Sequence, residues 1–325
     1  MACAAACALA PPAAAQIVEA VGGRALGMGG AFVAVADDSS ATWWNPAGLA
    51  DGPFLDMSLV RTTTAVDDSL PARRDRGFGL ALGTPPLGVS YYRLRATRIS
   101  TDPIEQEGAG REDRRAGADS LEVSQLGVTF IQTLIPGIHA ATTLKYVRGT
   151  ARHDVLGAST PALMVNDRLD RGDDLAGGRA GNRFDLDVGV LGIVGPLRLG
   201  VVGRNLRAPE FGGMRLPRQV RVGAAFDAEV LGRMPWTVAL DVDLHAYEAG
   251  TGPRRVVAAG VERWFRERRV GVRGGGRFDT AGASDGAATA GASWLVRPGL
   301  YVEGHIVGGG AGGDRGWGMA ARVSF

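Results

Sequence analysis

Cysteine is nearly absent from this chain. The two copies, Cys3 and Cys7, both fall within the first ten of 325 residues. Residues 1–15, MACAAACALAPPAAA, read as a secretory signal ending at Ala13-Ala14-Ala15, without the usual positive n-region. Its removal would start the mature chain near Gln16 with no thiol, which excludes disulfides and thiolate metal sites. Long apolar runs are missing as well. No stretch of 18 apolar residues occurs, so no transmembrane helix is expected. That leaves open a membrane barrel, whose strands need only about 9–11 residues each. Charged residues make up only 22%, and the net charge of +2 lacks the clustered basic excess of a nucleic-acid binder. A dinucleotide fingerprint is also lacking. Phe32 stands where Gly27-Met28-Gly29-Gly30 would need a third glycine, and no βαβ pattern surrounds it. What the chain has in excess is glycine, with 50 residues, about twice the usual share.

From residue 53 onward the apolar pattern has period two. Strands are expected near 54–62, 77–83, 88–97, 121–133, 138–152, 183–194, 197–206, 217–228, 236–246, 255–264, 268–278, 287–296, 300–309 and 317–325. Short turns such as Pro85-Pro86, Pro136-Gly137, Gly195-Pro196 and Pro298-Gly299 alternate with longer polar loops. An even strand number with alternating short and long connections is the layout of an outer-membrane barrel. A soluble β-sandwich gives no reason for that alternation. Within single strands the two faces separate cleanly. Phe184, Leu186, Val188 and Val190 alternate with Asp185, Asp187 and Gly189, and Trp236, Val238, Leu240 and Val242 alternate with Thr237, Asp241 and Asp243. The fold expected is therefore all-β, a closed antiparallel transmembrane β-barrel of about fourteen strands.

Residues 21–50, VGGRALGMGGAFVAVADDSSATWWNPAGLA, do not fit the strand pattern. They hold too many glycines for a stable helix and too many apolar residues for a solvated linker. Asn45-Pro46-Ala47-Gly48 reads as a turn. The run from Gly23-Arg24-Ala25 through Gly27-Met28-Gly29-Gly30-Ala31 to Asn45-Pro46-Ala47-Gly48-Leu49-Ala50 closely resembles the N-terminal signature of the FadL-like outer-membrane transport proteins. In that family the segment is a hatch that plugs a fourteen-stranded barrel. The resemblance implies a signal at 1–15, a hatch at 16–52 and a barrel at 53–325. It marks Gly27, Gly29, Gly30, Asn45, Pro46 and Ala47 as the hatch motif. The last strand, Trp317 to Phe325, alternates and ends on an aromatic, like the signal read by the outer-membrane barrel assembly machinery, with Phe325 as its terminal element.

The implied function is passive uptake of a hydrophobic or amphipathic small molecule, resembling a long-chain fatty acid, across the outer membrane of a Gram-negative bacterium. It would need no cofactor, metal or nucleic acid and would act as a monomer set in outer-membrane lipid. The related secretion-carrier barrels of PorV type offer the alternative, an accessory barrel that holds a partner protein.

Alternation places charges of both signs toward the lumen: Arg93, Arg95, Lys145, Arg198, Arg204, Arg221, Arg273, Arg277 and Arg322 against Asp56, Asp185, Asp187, Asp227, Asp241, Asp243, Glu262 and Glu303. Most are expected to pair across strands. Arg93, Arg95, Arg198 and Arg204 are the candidates for meeting a ligand carboxylate, since a guanidinium binds one bidentately. The family's lateral passage depends on a kinked strand, and no kink is visible in 88–97. Asp167, Asp170, Asp173 and Asp174 are oxygen ligands in type but lack calcium-loop spacing. Of the histidines, His245 and His305 look lumenal. Ser293 lies across a hairpin from His305, but nothing marks it as an activated nucleophile, and no enzyme activity is expected.

Overall fold

The computed structural model describes residues 21–66, 72–100, 116–156, 167–175, 177–232, 235–249, 252–282, 286–310 and 313–325. The signal at 1–15 lies outside the described residues.

The alternating segments form the fourteen strands of one closed antiparallel barrel in which each strand pairs with its neighbours in sequence. They are β1 Asp56–Val66, β2 Ala72–Thr84, β3 Leu87–Ser100, β4 Ala116–Ile135, β5 Ile138–Leu156, β6 Arg179–Val194 and β7 Leu197–Arg204. The second half comprises β8 Gln219–Asp227, β9 Trp236–Asp243, β10 Val256–Phe265, β11 Val270–Asp279, β12 Gly286–Arg297, β13 Leu300–Gly309 and β14 Arg315–Ser324. The chain closes on itself through β1 and β14, with Asp56 opposite Ser324 and Ala65 opposite Arg315. Beyond the last rung, Leu55 and Phe325 exchange backbone hydrogen bonds of 3.1 and 2.8 Å. Closure removes every sheet edge, which is the condition for strands to sit in hydrocarbon.

The faces sort as the pattern requires. Met57, Leu59, Leu126, Phe130, Leu144, Phe184, Leu199, Leu240, Ile306 and Met319 are exposed, while their neighbours Asp56, Gln125, Thr143, Lys145, Asp185, Asp241, His305 and Arg322 are buried. This is an inside-out protein, with its apolar side chains on the outer wall. On β6 the apolar outer face runs from Phe184 to Val194. At the usual rise and tilt that run spans about 25 Å, the height of a barrel's lipid band.

The wall is uneven. β2 to β6 have 13 to 20 residues, whereas β7 to β11 have only 8 to 10. The tall side extends beyond the apolar outer band at the end opposite the short turns. Two short hairpins extend from the low side. One pairs Glu210–Phe211 with Met214–Arg215. It packs Phe211, Met214 and Leu216 on Leu121, Val123 and Val147 of β4 and β5. The other pairs Tyr247–Ala249 with Gly252–Arg254.

The N-terminal segment 21–51 contains two helical turns, α1 Gly23–Gly27 and α2 Ala41–Trp44, followed by a 3₁₀ turn, Pro46–Asp51. α1 packs on β11 to β14, and the 3₁₀ turn packs on β2 to β6. One segment can touch opposite sides of a closed sheet only from within it, so this stretch occupies the bore. Its core is Leu26, Met28, Phe32, Val35, Ala36, Trp44 and Leu49. Glycine allows this fit. Gly29 has φ of +72°, and a Cβ there would lie 2.6 Å from the backbone nitrogen of Gly276. On the wall, Gly260 and Gly275 leave room for the backbone of Met28, which any side chain would strike.

Candidate functional site

Arg24 is the only charged residue between Val21 and Ala36. Its guanidinium binds Asp37 at 2.5 Å, Asp38 at 2.9 Å and Glu262 of β10 at 2.7 Å. Arg24 and Glu262 are both buried, so this fork ties the inner segment to the wall in a water-poor bore. Glu262 also faces Arg273, at 3.6 Å. Arg273 binds Ser293, and Ser293 donates to Glu303 at 3.1 Å. Glu303 accepts from Arg322, which also reaches Asp56. A continuous ionic chain therefore runs along the wall from β10 to β1.

Two further anchors are backbone contacts. Asp241 accepts from the amides of Phe32 at 2.8 Å and Val33 at 2.9 Å, and Thr289 donates to the carbonyl of Gly27 at 2.9 Å. The expectation of cross-strand pairing holds at Lys145 and Arg221 as well, but not at Asp241, Arg198 or Arg204, which bond the inner segment or Gln219 instead. Lys145 sits between Asp185 at 2.8 Å and Asp187 at 2.6 Å, and Arg221 pairs with Asp243 at 2.7 Å.

The motif residues lie at close approaches. The Asn45 side chain donates to the carbonyls of Val33 at 2.8 Å and Val190 of β6 at 3.1 Å and accepts from Ala47 N–H. It thereby caps the 3₁₀ turn, with Pro46 at the first helical position, where its missing N–H costs nothing. Gly189 of β6 lies against Asn45 and Pro46, and Ala47 packs with Ala141 and Leu191. Gly27 abuts Arg273, and Gly30 lies beside Trp44.

The four candidate arginines have three different settings. Arg198 is buried, with its guanidinium on the carbonyl of Ala34 at 2.8 Å and on Asp51 at 2.5 Å. It is already occupied by the inner segment. Arg204 is buried with its carbon centre 5.3 Å from the Trp43 ring and 5.6 Å from the Trp44 ring. It bonds Gln219, but its Nε and Nη1 have no hydrogen-bond partner among the described residues.

Arg93 and Arg95 correct the sequence reading, because neither is lumenal. Tyr92 and Leu94 occupy the inward positions of β3, with the Tyr92 hydroxyl 2.7 Å from Thr42 of the inner segment. Arg93 and Arg95 therefore face outward. Arg93 is more than half exposed and pairs with Glu122 at 2.8 Å, and Arg95 pairs with Asp173. The reason is local. This part of the lumen holds apolar Trp43, so the wall answers with apolar side chains and the rule of polar inside reverses.

Segment 167–175 lies across the outside of the tall wall. Leu169 and Leu175 pack on Ala72, Ile99 and Ala118. Asp170 accepts from Arg74 and Arg76. Three of the four loop aspartates are thus taken by arginines, Asp167 by Arg171 at 3.2 Å. No group of three or more potential metal ligands is present among the described residues. His245 is exposed beyond the end of β9 rather than lumenal, whereas His305 is buried in the bore. Ser293 bonds Arg273 and Glu303, not His305. β3 keeps unbroken register with both β2 and β4, so no kink opens the wall there.

Comparison with solved structures places this architecture. The monoaromatic hydrocarbon channel CymD superposes with a TM-score of 0.65 at 11% identity, covering 95% of this chain and 98% of that one. This is the fold of the FadL-type outer-membrane channels. The P. putida toluene transporter TodX matches with a TM-score of 0.59 at 11% identity, over 95% of this chain and 99% of that one. A FadL homologue from Pseudomonas aeruginosa matches at 0.55 and 9% identity, over 91% and 96%. No family model matches the sequence, and no curated protein matches it.

Sequence reasoning in this FadL-type fold missed Arg24 as the central anchor, although one arginine in an otherwise uncharged run was a visible signal. It also missed Trp43 and Trp44, which flank Arg204 and which no spacing rule links to it.

Proposed function

We propose that this protein is a passive outer-membrane channel of a Gram-negative bacterium for hydrophobic or amphipathic small molecules. Residues 16–52 serve as its hatch and 53–325 as its barrel. The observation that carries this reading is the bore itself: the chain's own segment 21–51 fills it, in a fold whose solved neighbours include a monoaromatic hydrocarbon channel and a toluene transporter. Arg204, with free donors between two tryptophans, is the position for a ligand carboxylate, and an aromatic or acyl body would lie on the indoles. Each methylene buried would contribute about 0.8 kcal/mol. Affinity comes from that burial, and passage follows hatch displacement without a cofactor. The protein acts as a monomer, and Phe325 serves its delivery to the assembly machinery.

The test is uptake into liposomes of labelled long-chain fatty acid and of toluene. Uptake of both is expected, with Arg204→Gln lowering the acid alone. Deletion of 16–50 should raise ion leak, and unchanged conductance would remove the hatch role. Failure of uptake for both compounds, with a secreted protein co-purifying, would transfer the assignment to the carrier class.

A further inference from the structure

The outer wall carries a groove of ≈ 500 Å³ on β3, β4 and β5. Its lining includes Tyr91, Leu126 and Tyr146, together with Glu122, Arg148 and Arg152. These side chains lie on the face opposite the inward Tyr92, Gln125 and Val147, so the groove is outside the barrel and separate from the bore. Register orders the two kinds of residue. Tyr91, Leu126, Tyr146 and Phe184 are successive partners across four strands. Two residues toward the outer ends of the same strands, the row reads Arg93, Ser124, Arg148 and Asn182. The wall changes from aromatic to cationic in one step. An aromatic row of this kind marks the edge of the lipid band in a barrel, so the arginines stand at headgroup level.

Among the described residues, the charge of Arg148 at this step has no counter-charge paired with it, and Arg152 shares its neighbouring carboxylate with another arginine. Glu122 is taken by Arg93. Arg148 is exposed and has no ion pair among the described residues. Nη1 of Arg152 is buried without a hydrogen-bond partner. Asp173, whose charge Arg152 also feels, is held by Arg95. Below the arginines, Leu126, Phe130, Leu144, Tyr146 and Phe184 form an exposed apolar slope.

We propose that this groove is a binding site for a phosphorylated, multiply acylated lipid of the outer leaflet, with its phosphate on Arg148 and Arg152 and its chains along the slope of Leu126, Tyr146 and Phe184. A guanidinium pair suits a phosphate, and the apolar slope suits chains that a soluble anion lacks. The site rests on the membrane placement of the barrel and not on transport, so it stands or falls separately from the channel reading.

The experiment is native mass spectrometry of the full chain, delipidated in detergent and offered bis-phosphorylated lipid A, its dephosphorylated counterpart or soluble glucosamine phosphate. Lipid A should be retained and the other two lost. Arg148→Gln with Arg152→Gln should reduce retention about tenfold. Arg61→Gln, on the exposed outer face of β1, should leave it unchanged. Heat-modifiable gel migration reports folding, and Arg148→Gln alone replaces the pair if the double variant fails to fold. Equal retention of the dephosphorylated lipid, competition by glucosamine phosphate, or an unaffected arginine variant would each overturn the site.

Discussion

The two ends of the inner segment meet two different kinds of wall. Residues 21–38 face β7 to β14 and are held by charge: Arg24 on Glu262, the amides of Phe32 and Val33 on Asp241, and Arg198 on the carbonyl of Ala34. Residues 39–51 face mostly β1 to β6 and are held mainly by neutral contacts, apart from the Ser39 amide on Asp56 at 2.8 Å and the Arg204 guanidinium beside Trp43 and Trp44. Trp43 lies edge-on to Tyr92 at 5.2 Å, Leu49 lies against Gly83 and Gly88, and Ala47 packs with Leu191. Among the described residues, the one ion pair at this end, Asp51 with Arg198, has a carboxylate 41% exposed, so solvent screens it. A buried ion pair resists separation steeply, because each partner is left uncompensated. Apolar contacts against a smooth wall can be exchanged in small steps. The second end is therefore where displacement from the bore should begin, with the first end as its tether.

The largest test of that contrast removes the tether. Arg24→Ala leaves Asp37, Asp38 and Glu262 without their shared counter-charge, and breaking a buried pair costs about 3–5 kcal/mol. Thermal unfolding of the folded barrel should shift down, and single-channel conductance should rise. A variant with unchanged melting and conductance would mean that the charged end does not hold the segment.

Leu49→Ala probes the neutral end. Leu49 is 3% exposed and belongs to the core that the inner segment makes with the wall. Truncation there should cost about 2–3 kcal/mol, less than loss of Arg24. Limited proteolysis should nevertheless cut 39–51 sooner in this variant than in Arg24→Ala. If 21–38 is cut first in both, the ordering of the two ends is reversed.

Much of this contrast lies beyond what a sequence can state. Alternation gave the strands and their two faces, because period two survives any lumen content. It could not say which face was in. At Tyr92 and Leu94 the lumen is apolar, so the usual sign of the alternation led Arg93 and Arg95 to the wrong side. The glycine excess was visible as a total. That Gly260 and Gly275 admit the backbone of Met28 follows only from the pairing of β10 with β11. Arg204 was named from its strand position, but its free donors depend on Trp43 and Trp44, which lie about 160 residues earlier in the chain and meet it only inside the closed barrel.

A finer probe stays within the neutral end. Tyr92→Phe removes a hydroxyl 2.7 Å from Thr42, and Thr42 keeps its bond to the carbonyl of Ser39 at 2.9 Å. No donor is stranded, so the loss should be about 1 kcal/mol. The ring still meets Trp43 edge-on, which keeps packing and hydrogen bonding apart. A melting shift as large as that of Leu49→Ala would mean the neutral end is held by this bond rather than by packing.

The smallest expected effect concerns acid, at the outer rim. Asp314 precedes β14 and binds Arg73 at 2.9 Å and Arg277 at 2.7 Å. Burial alone would raise its pKa, but the guanidiniums of Arg73, Arg277 and Arg254 outweigh burial and hold the carboxyl well below the usual range. A folded pKa below the unfolded value, about 3.9, stabilises the rim above that value. The stabilisation is lost only as pH falls through the lower, folded value. Acidification from pH 7 to pH 5 should therefore leave this contribution whole, so that, in an Asp75→Asn background that removes the second carboxyl bound by Arg73, Asp314→Asn lowers the melting temperature by the same amount at both pH values. The difference that Asp314→Asn makes in that background should shrink only below about pH 4, as the Asp314 carboxyl takes up its proton. A difference that already narrows between pH 7 and 5 would show that the arginines do not hold Asp314 ionised, and that charge secures the rim less firmly than it secures Arg24 in the bore.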